Sequence, residues 1–204
     1  ARKATVLDEQ SAGIENFYVV DAGNLFFKGT DIEEGITLEA AKVNSDIILD
    51  SFNSMGCTAF SPGEFDFSGG LNHLVGLKNK ANFPFTSCNI YDDSGELIFD
   101  EYVLDKSENF KIAFIGLSSS FLIDNIKVEN PITSLKLTLK KLENISDINV
   151  LLFHGNDIDL SNLAGTYAAL SFEYYADTHY YISNNGSYYN YEDSVQNLHT
   201  NLWF

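Results

Sequence analysis

Arginine is all but missing from this chain: Arg2 is the only one in 204 residues, and lysine supplies the rest of the 12 basic side chains against 29 acidic ones, for a formal net charge of −17. A phosphate site usually wants a guanidinium fork, and a nucleic-acid binder needs a basic stripe to displace counterions. Neither is present, which argues against nucleic acid as a partner. Proline occurs only three times and no low-complexity tract interrupts the chain, so the composition is that of a globular protein and not a disordered one. No run approaches the roughly 18 apolar residues of a membrane span, which predicts no transmembrane segment, and no signal-peptide pattern opens the chain. The start Ala1-Arg2-Lys3 fits a mature end left by signal removal as well as a start inside a longer polypeptide. Cysteine is limited to Cys57 and Cys88. They fall in two different predicted strands, and buried thiols, a disulfide and reactive chemistry all stay open.

What is present is 45% hydrophobic and 20% charged, enough for one domain spanning 1–204 that hides roughly 70–75% of its unfolded surface. The acidic field suits metal cations or a basic protein surface. Strand and helix patterns alternate. Phe17 to Val20 reads as a buried strand ending in the turn Asp21-Ala22-Gly23-Asn24. Ile36, Ala40, Val43 and Ile47 recur at helical spacing, which predicts a helix with that stripe against a sheet. Cys57 to Phe60 is a second strand stopped by Ser61-Pro62-Gly63, and Leu71, Leu74 and Leu77 mark a second helix. Phe83 to Ile90 reads as a strand, Asp92-Asp93-Ser94-Gly95 as a hairpin turn before Leu97 to Leu104, and Lys111 to Leu117 as a central strand. Pro131 opens a helix with Ile132, Leu135, Leu139 and Leu142 facing inward and Lys136, Lys140 and Lys141 outward. Ile148 to Phe153 is a strand ending at His154, followed by a helix over 157–169 and a strand over 170–175. Repeated units of this kind predict a layered α/β fold with its functional residues on the loops after the strand ends.

From Tyr167 onward the character changes, because eight of the 11 tyrosines lie between Tyr167 and Tyr191 among Ser, Asn and Gly. This predicts a tyrosine-rich β part at the C-terminal end, which serves either as a protein-partner surface or as ordinary edge strands. The apolar tail Leu202-Trp203-Phe204 needs a docking place.

Several segments, in order, resemble one family. Val19-Val20-Asp21-Ala22-Gly23-Asn24-Leu25-Phe26 with Gly29-Thr30 is similar to the D-A-G-D stretch of the calcineurin-like metallophosphoesterases, in their 5′-nucleotidase and UDP-sugar hydrolase branch. Met55 to Phe67, with Gly63-Glu64-Phe65-Asp66-Phe67 at its end, stands where that branch carries G-N-H-E/D-F-D. Phe83 to Ile90 and Ile112 to Ser118 resemble the strands that follow. Val150 to Gly155 resembles the histidine-bearing strand end, and Ala176-Asp177-Thr178-His179 lies at G-H-x-H. The resemblance implies a layered metallophosphoesterase-like sheet sandwich flanked by helices and a metal site built from Asn24, Glu64, His154, Asp177 and His179.

The departures from the pattern are chemical. The family's first strand, with its D-x-H metal motif, has no counterpart in this sequence, so two ligands are absent or lie outside it. Asn24 replaces the bridging aspartate, and a neutral amide does not hold two cations as a carboxylate does. Glu64 replaces the asparagine ligand, Phe65 the histidine that assists at the phosphoryl group, and Asp177 the first histidine of the last motif. A phenyl ring neither donates a proton nor polarises a phosphate. Each remaining candidate also has a plain structural role: Asn24 as a turn-former, Glu64 as a solvated acid, Asp177 as a turn residue, His154 and His179 as packing residues. Three expectations follow. The first is a non-catalytic structural or binding module in a periplasmic or extracellular assembly. The second is a 5′-nucleotidase-type hydrolase completed by a missing segment or partner chain. The third is a protein holding one divalent metal, zinc, manganese or iron. Ser118-Ser119-Ser120 lacks the glycines of a nucleophile elbow, and no Walker loop or dinucleotide fingerprint occurs.

Overall fold

The computed structural model describes residues 2–14, 16–106 and 110–166, with the backbone of the short strands at 171–172, 180–182 and 188–190. Its elements are α1 (Arg2–Ser11), β1 (Val19–Asp21), α2 (Leu38–Ser54), β2 (Cys57–Phe60), a single 3₁₀ turn (Glu64–Phe67), α3 (Leu71–Lys80), β3 (Ile90–Asp92), β4 (Val103–Lys106), β5 (Lys111–Ser118), β6 (Ile126–Val128), α4 (Pro131–Leu142), β7 (Ile148–His154) and α5 (Asp157–Thr166). Beyond them lie β8 (Ser171–Phe172), β9 (Tyr180–Ile182) and β10 (Tyr188–Asn190), which form an antiparallel sheet.

Two sheets lie at the centre. β1 and β2 run parallel, joined by the α2 crossover. β5 is the middle strand of the other sheet, antiparallel to β4 and parallel to β7 from Ile112↔Ile148 to Ser118↔His154. Val20, Ala22 and Ala59 from the first pack against Ile112, Phe114 and Leu152 from the second. The outer face of β5 and β7 is covered by Leu135, Leu142 and Leu163 of α4 and α5. On the opposite side, Leu49 and Phe52 of α2 and Leu74 and Leu77 of α3 close over an aromatic cluster. There Phe60 and Phe85 meet edge to face with centroids 4.8 Å apart, and Phe26 meets Phe60 in the same manner at 5.4 Å. The order helix, sheet, sheet, helix is the layered α/β architecture that the sequence predicts.

Local chemistry sets the element ends. Asn130 caps α4 by accepting the Thr133 N–H at 3.0 Å, and Pro131 occupies the first turn, where its missing N–H costs nothing. Leu135 and Leu142 are buried as the periodicity predicts, while Lys141 pairs with Glu101. Cys57 and Cys88 are free and buried, which leaves two thiols and no bridge between them. Burial pushes both up to about 12, so neither carries appreciable thiolate.

Three expectations need correction. The stripe Ile36, Ala40, Val43 and Ile47 does not face the sheet: it is exposed, with Val43 at 57% and Ile47 at 58%. α2 carries a second apolar face, Ala41, Ile48, Leu49 and Phe52, and that one is inside. A phenylalanine and two large aliphatics bury more surface than the alternative stripe, and Ser45 on the same side lies 2.7 Å from His73 Nε2. Second, the run from Phe83 to Ile90 is not one strand, because it crosses between sheets: Thr86 N–H donates to Phe60 O of β2, and Cys88 N–H donates to Gly116 O of β5. Third, the sequence reading assigns nothing to α1, which the structure forms over Arg2–Ser11.

That crossing makes Gly116 a close-approach glycine, since a Cβ there would lie 1.9 Å from the Thr86 carbonyl oxygen. Gly116→Ala should therefore lower the unfolding free energy by about 3 kcal/mol through overpacking. Urea unfolding followed by circular dichroism checks this, and an unchanged midpoint would show that the crossing segment is not held as described.

Candidate functional site

The loops after parallel strands β1, β2, β5 and β7 converge on one edge of the two sheets. β1 ends at Asp21, whose Oδ1 accepts the Gly23 N–H at 3.0 Å. Gly23 has φ 118°, and a Cβ there would stand 2.7 Å from the Gly63 nitrogen, so this turn is open only to glycine. Asn24 follows with φ 56°, a left-handed conformation that asparagine tolerates better than most residues.

The side chain that fixes this edge is Asp66, fully buried in the 3₁₀ turn. Its Oδ2 accepts N–H groups from Asn24 at 2.7 Å and Gly63 at 2.8 Å, and its Oδ1 accepts that of Phe26 at 2.9 Å. One carboxyl group thereby ties the loop after β1 to the loop after β2. The family pattern quoted from the sequence contains Asp66, but the reading gave it no role. The available signal was an acid between Phe65 and Phe67, where an apolar surrounding predicts a partnered carboxylate.

Of the five candidate ligands, the structure brings Asn24 and His154 together. Asn24 Oδ1 accepts the Phe65 N–H at 2.9 Å, which turns its Nδ2 toward His154 Nε2 at 3.0 Å. With the amide oriented in this way Nδ2 donates, so His154 Nε2 is the acceptor. Burial holds the His154 pKa below its ordinary value and keeps the ring neutral. Gly63 lies against both, since a Cβ there would meet Asn24 Oδ1 at 2.7 Å and His154 Cδ2 at 2.8 Å. Glu64 occupies the first position of the 3₁₀ turn next to Gly63 and is partly exposed. Asp177 and His179 lie outside the described residues, as do His199 and Leu202-Trp203-Phe204.

A second hydrogen-bonded group lies beside His154. Ser119 N–H donates to the His154 carbonyl at 2.8 Å, its Oγ donates to Asp159 Oδ2 at 2.6 Å, and Asn156 N–H donates to that Oγ at 3.1 Å. Asn156 caps α5 by accepting the Asp159 N–H at 2.9 Å, and Ser119 with Asp159 ties that cap to the β7 end.

The family's metals can be weighed against this donor set. An imidazole nitrogen has one lone pair for a cation, and at His154 Nε2 it faces the Asn24 amide N–H. Asn24 is neutral and already accepts a backbone N–H. Among the described residues no group of three or more His, Cys, Asp or Glu side chains gathers as metal ligands do. The described donors therefore do not fit a two-metal centre.

Paired sheets with the loops of their parallel strands gathered at one edge make up the calcineurin-like phosphoesterase fold. The calcineurin-like phosphoesterase YfkN from Bacillus subtilis superposes with a TM-score of 0.68 over 83% of this chain and 61% of that one, at 21% identity. The chain is similar in sequence to members of the 5′-nucleotidase branch of this family. It is 32% identical over 133 residues to the 5′-nucleotidase of Vibrio vulnificus and to protein UshA of Escherichia coli, a match covering 64% of this chain and 23% of each relative. The chain thus spans about a quarter of the length of the curated relatives it matches. No family model matches it.

Burial raises the Asp66 pKa from an ordinary 3.8 to about 7, against the pull of its three N–H donors. The folded protein then keeps a proton on Asp66 that the unfolded chain has already released. Stability should fall as pH rises from about 4 through about 7 and level off above, since the unfolded state binds fewer protons in that window. Asp66→Asn should remove this slope, and it should lower stability by about 1–3 kcal/mol because an amide nitrogen would face a backbone donor. Urea midpoints of both proteins across pH 4.5 to 8 check this. A native midpoint that rises through the window would show that the carboxylate form is the stable one.

Proposed function

We propose that this chain is a phosphoesterase-fold module that no longer performs two-metal hydrolysis and acts as a structural or binding part of an assembly outside the cytoplasm. The observation that supports this reading is the Asn24 Nδ2 to His154 Nε2 hydrogen bond, fixed from behind by the Phe65 N–H. A two-metal hydrolase places an anionic bridge between cations to generate hydroxide and carry the developing charge. Here the same place holds a neutral amide bonded to a neutral imidazole. Phe65 stands where an imidazole would assist at the phosphoryl group, and its ring can do no proton chemistry.

The extracytoplasmic placement rests on the family likeness, and a protein partner on the acidic balance of the chain. The stretch Tyr167–Tyr191 is our first candidate for its contact surface: in the described strands Tyr189 stands opposite Tyr181, and Tyr188 opposite Ile182. The relatives named 5′-nucleotidase support a second reading, a hydrolase completed by a segment or chain outside this one, with Asp177 and His179 contributing ligands. A single zinc, manganese or iron ion at His154, His179, Asp177, Glu64 and Asn24 is a third.

The three separate in one experiment. The purified protein is loaded with manganese, cobalt or zinc, dialysed, and assayed for bound metal and for turnover of nucleoside monophosphates and bis(p-nitrophenyl) phosphate. We expect no turnover above buffer and less than one retained ion per chain. One tightly held ion without turnover would favour the single-metal reading, turnover that appears only when the completing segment or partner chain is added would favour the second, and two ions with turnover by the chain alone would sink the proposal.

A further inference from the structure

Among the described residues, the exposed stripe of α2 enters none of the core clusters. On a helix of 100° per residue, Ala40, Val43 and Ile47 lie along one line opposite the buried Ser45, Leu49 and Phe52, and Ile36 stands just before the helix entry, while Leu38 lies on the other side. Ile36 and Leu38 are each 38% exposed, and Val43 and Ile47 more than half. Glu39, Asp46 and Asp50 run down one side of the line, with Asp46 paired to Lys80 at 2.7 Å and Glu39 and Asp50 left as the exposed acids, and Asn44 and Ser51 run down the other. α2 therefore has two apolar faces of about equal length, one of which contacts nothing in the core clusters. Exposed apolar surface of this regularity marks an interaction site more often than scattered surface leucines do.

The charges choose the occupant. A membrane surface is anionic, and it would be repelled by the acid row and by a protein of net charge −17. A second copy brings another −17, and an antiparallel pair of α2 helices would set acid row against acid row. The complementary partner is a helix with apolar side chains at i, i+3, i+4 and i+7 and lysine or arginine along one edge. We propose that the outer face of α2 docks a basic amphipathic helix of a partner protein, with Val43 and Ile47 as apolar anchors and Glu39 and Asp50 as its charge contacts. This rests on the binding-module reading and gives that module a surface distinct from the strand-end cluster.

The probe is a fluorescein-labelled synthetic helix of leucine and lysine built on the repeat LKKLLKL, with a twin carrying glutamate in place of lysine, titrated with the full chain and read by anisotropy. The native protein should bind the lysine peptide and not its twin. Val43→Ser with Ile47→Ser keeps the net charge, so a loss of about tenfold or more in affinity would report the apolar face and not general attraction. Glu39→Lys with Asp50→Lys should weaken binding about threefold and flatten its salt dependence. Both pairs are exposed, so circular dichroism and the urea midpoint should stay native. Serine variants that bind as the native protein does, or equal binding of the glutamate twin, would overturn the proposal. A native dimer that the serine substitutions dissociate would overturn it in favour of a second copy. None of these outcomes touches the metal and turnover assay, so the two readings fail separately.

Discussion

The strand-end edge depends on one buried carboxyl group accepting three backbone N–H groups. Asp66 gathers Asn24, Phe26 and Gly63, which come from loops about forty residues apart in sequence. A loop buried between two sheets has backbone donors that secondary structure does not satisfy, and each would cost about 1–3 kcal/mol if left unpaired. A side chain with two oxygens and several lone pairs is the economical answer to that problem. Once Asp66 holds these donors, the positions of Gly23, Asn24 and Gly63 follow, and the close packing of Gly63 on His154 becomes possible.

The chemistry of the edge follows from the same arrangement. With its backbone N–H on Asp66 and its Oδ1 on Phe65 N–H, Asn24 has its amide nitrogen left for His154. An amide can be donor and acceptor at once, and this position uses both. An aspartate there would accept from Phe65 equally well but could not donate to a neutral imidazole. The ring would then have to present its other neutral tautomer, with the proton on Nε2 and the lone pair on Nδ1.

Where side-chain pattern and local capping agree, the sequence was readable. Asn130-Pro131 with leucines at helical spacing gave α4, and the apolar run Lys111 to Leu117 gave the middle strand of its sheet. Where two patterns competed, it was not. α2 carries two apolar faces, and periodicity alone does not say which is inside; the bulk of Leu49 and Phe52 decided that only in the presence of the aromatic cluster. The run over 83–90 has strand composition, yet its hydrogen bonds go first to β2 and then to β5, which is a property of two sheets and not of eight residues. Asp66 was hidden for a related reason, because its partners are backbone groups, which leave no mark in the sequence. The family likeness named Asn24 and His154 among five candidate ligands without pairing them; the structure joins these two by a hydrogen bond, while Asp177 and His179 lie outside the described residues.

Charge explains why asparagine suits this edge when no cation is there to share. Asp21 lies close enough to Asp66 to add to the burial that raises its pKa, and it also raises the Cys57 thiol. A further acid at position 24 would be costlier still to ionise in a site of low dielectric, where like charges a few ångströms apart interact several-fold more strongly than in water. In a metal centre the cations cancel that repulsion, which is why such centres tolerate clustered acids. Replacing the bridging acid by its amide removes one charge, keeps the volume, and converts a repulsive contact into a hydrogen bond. On this electrostatic ground an amide at position 24 suits the edge better than a further acid would.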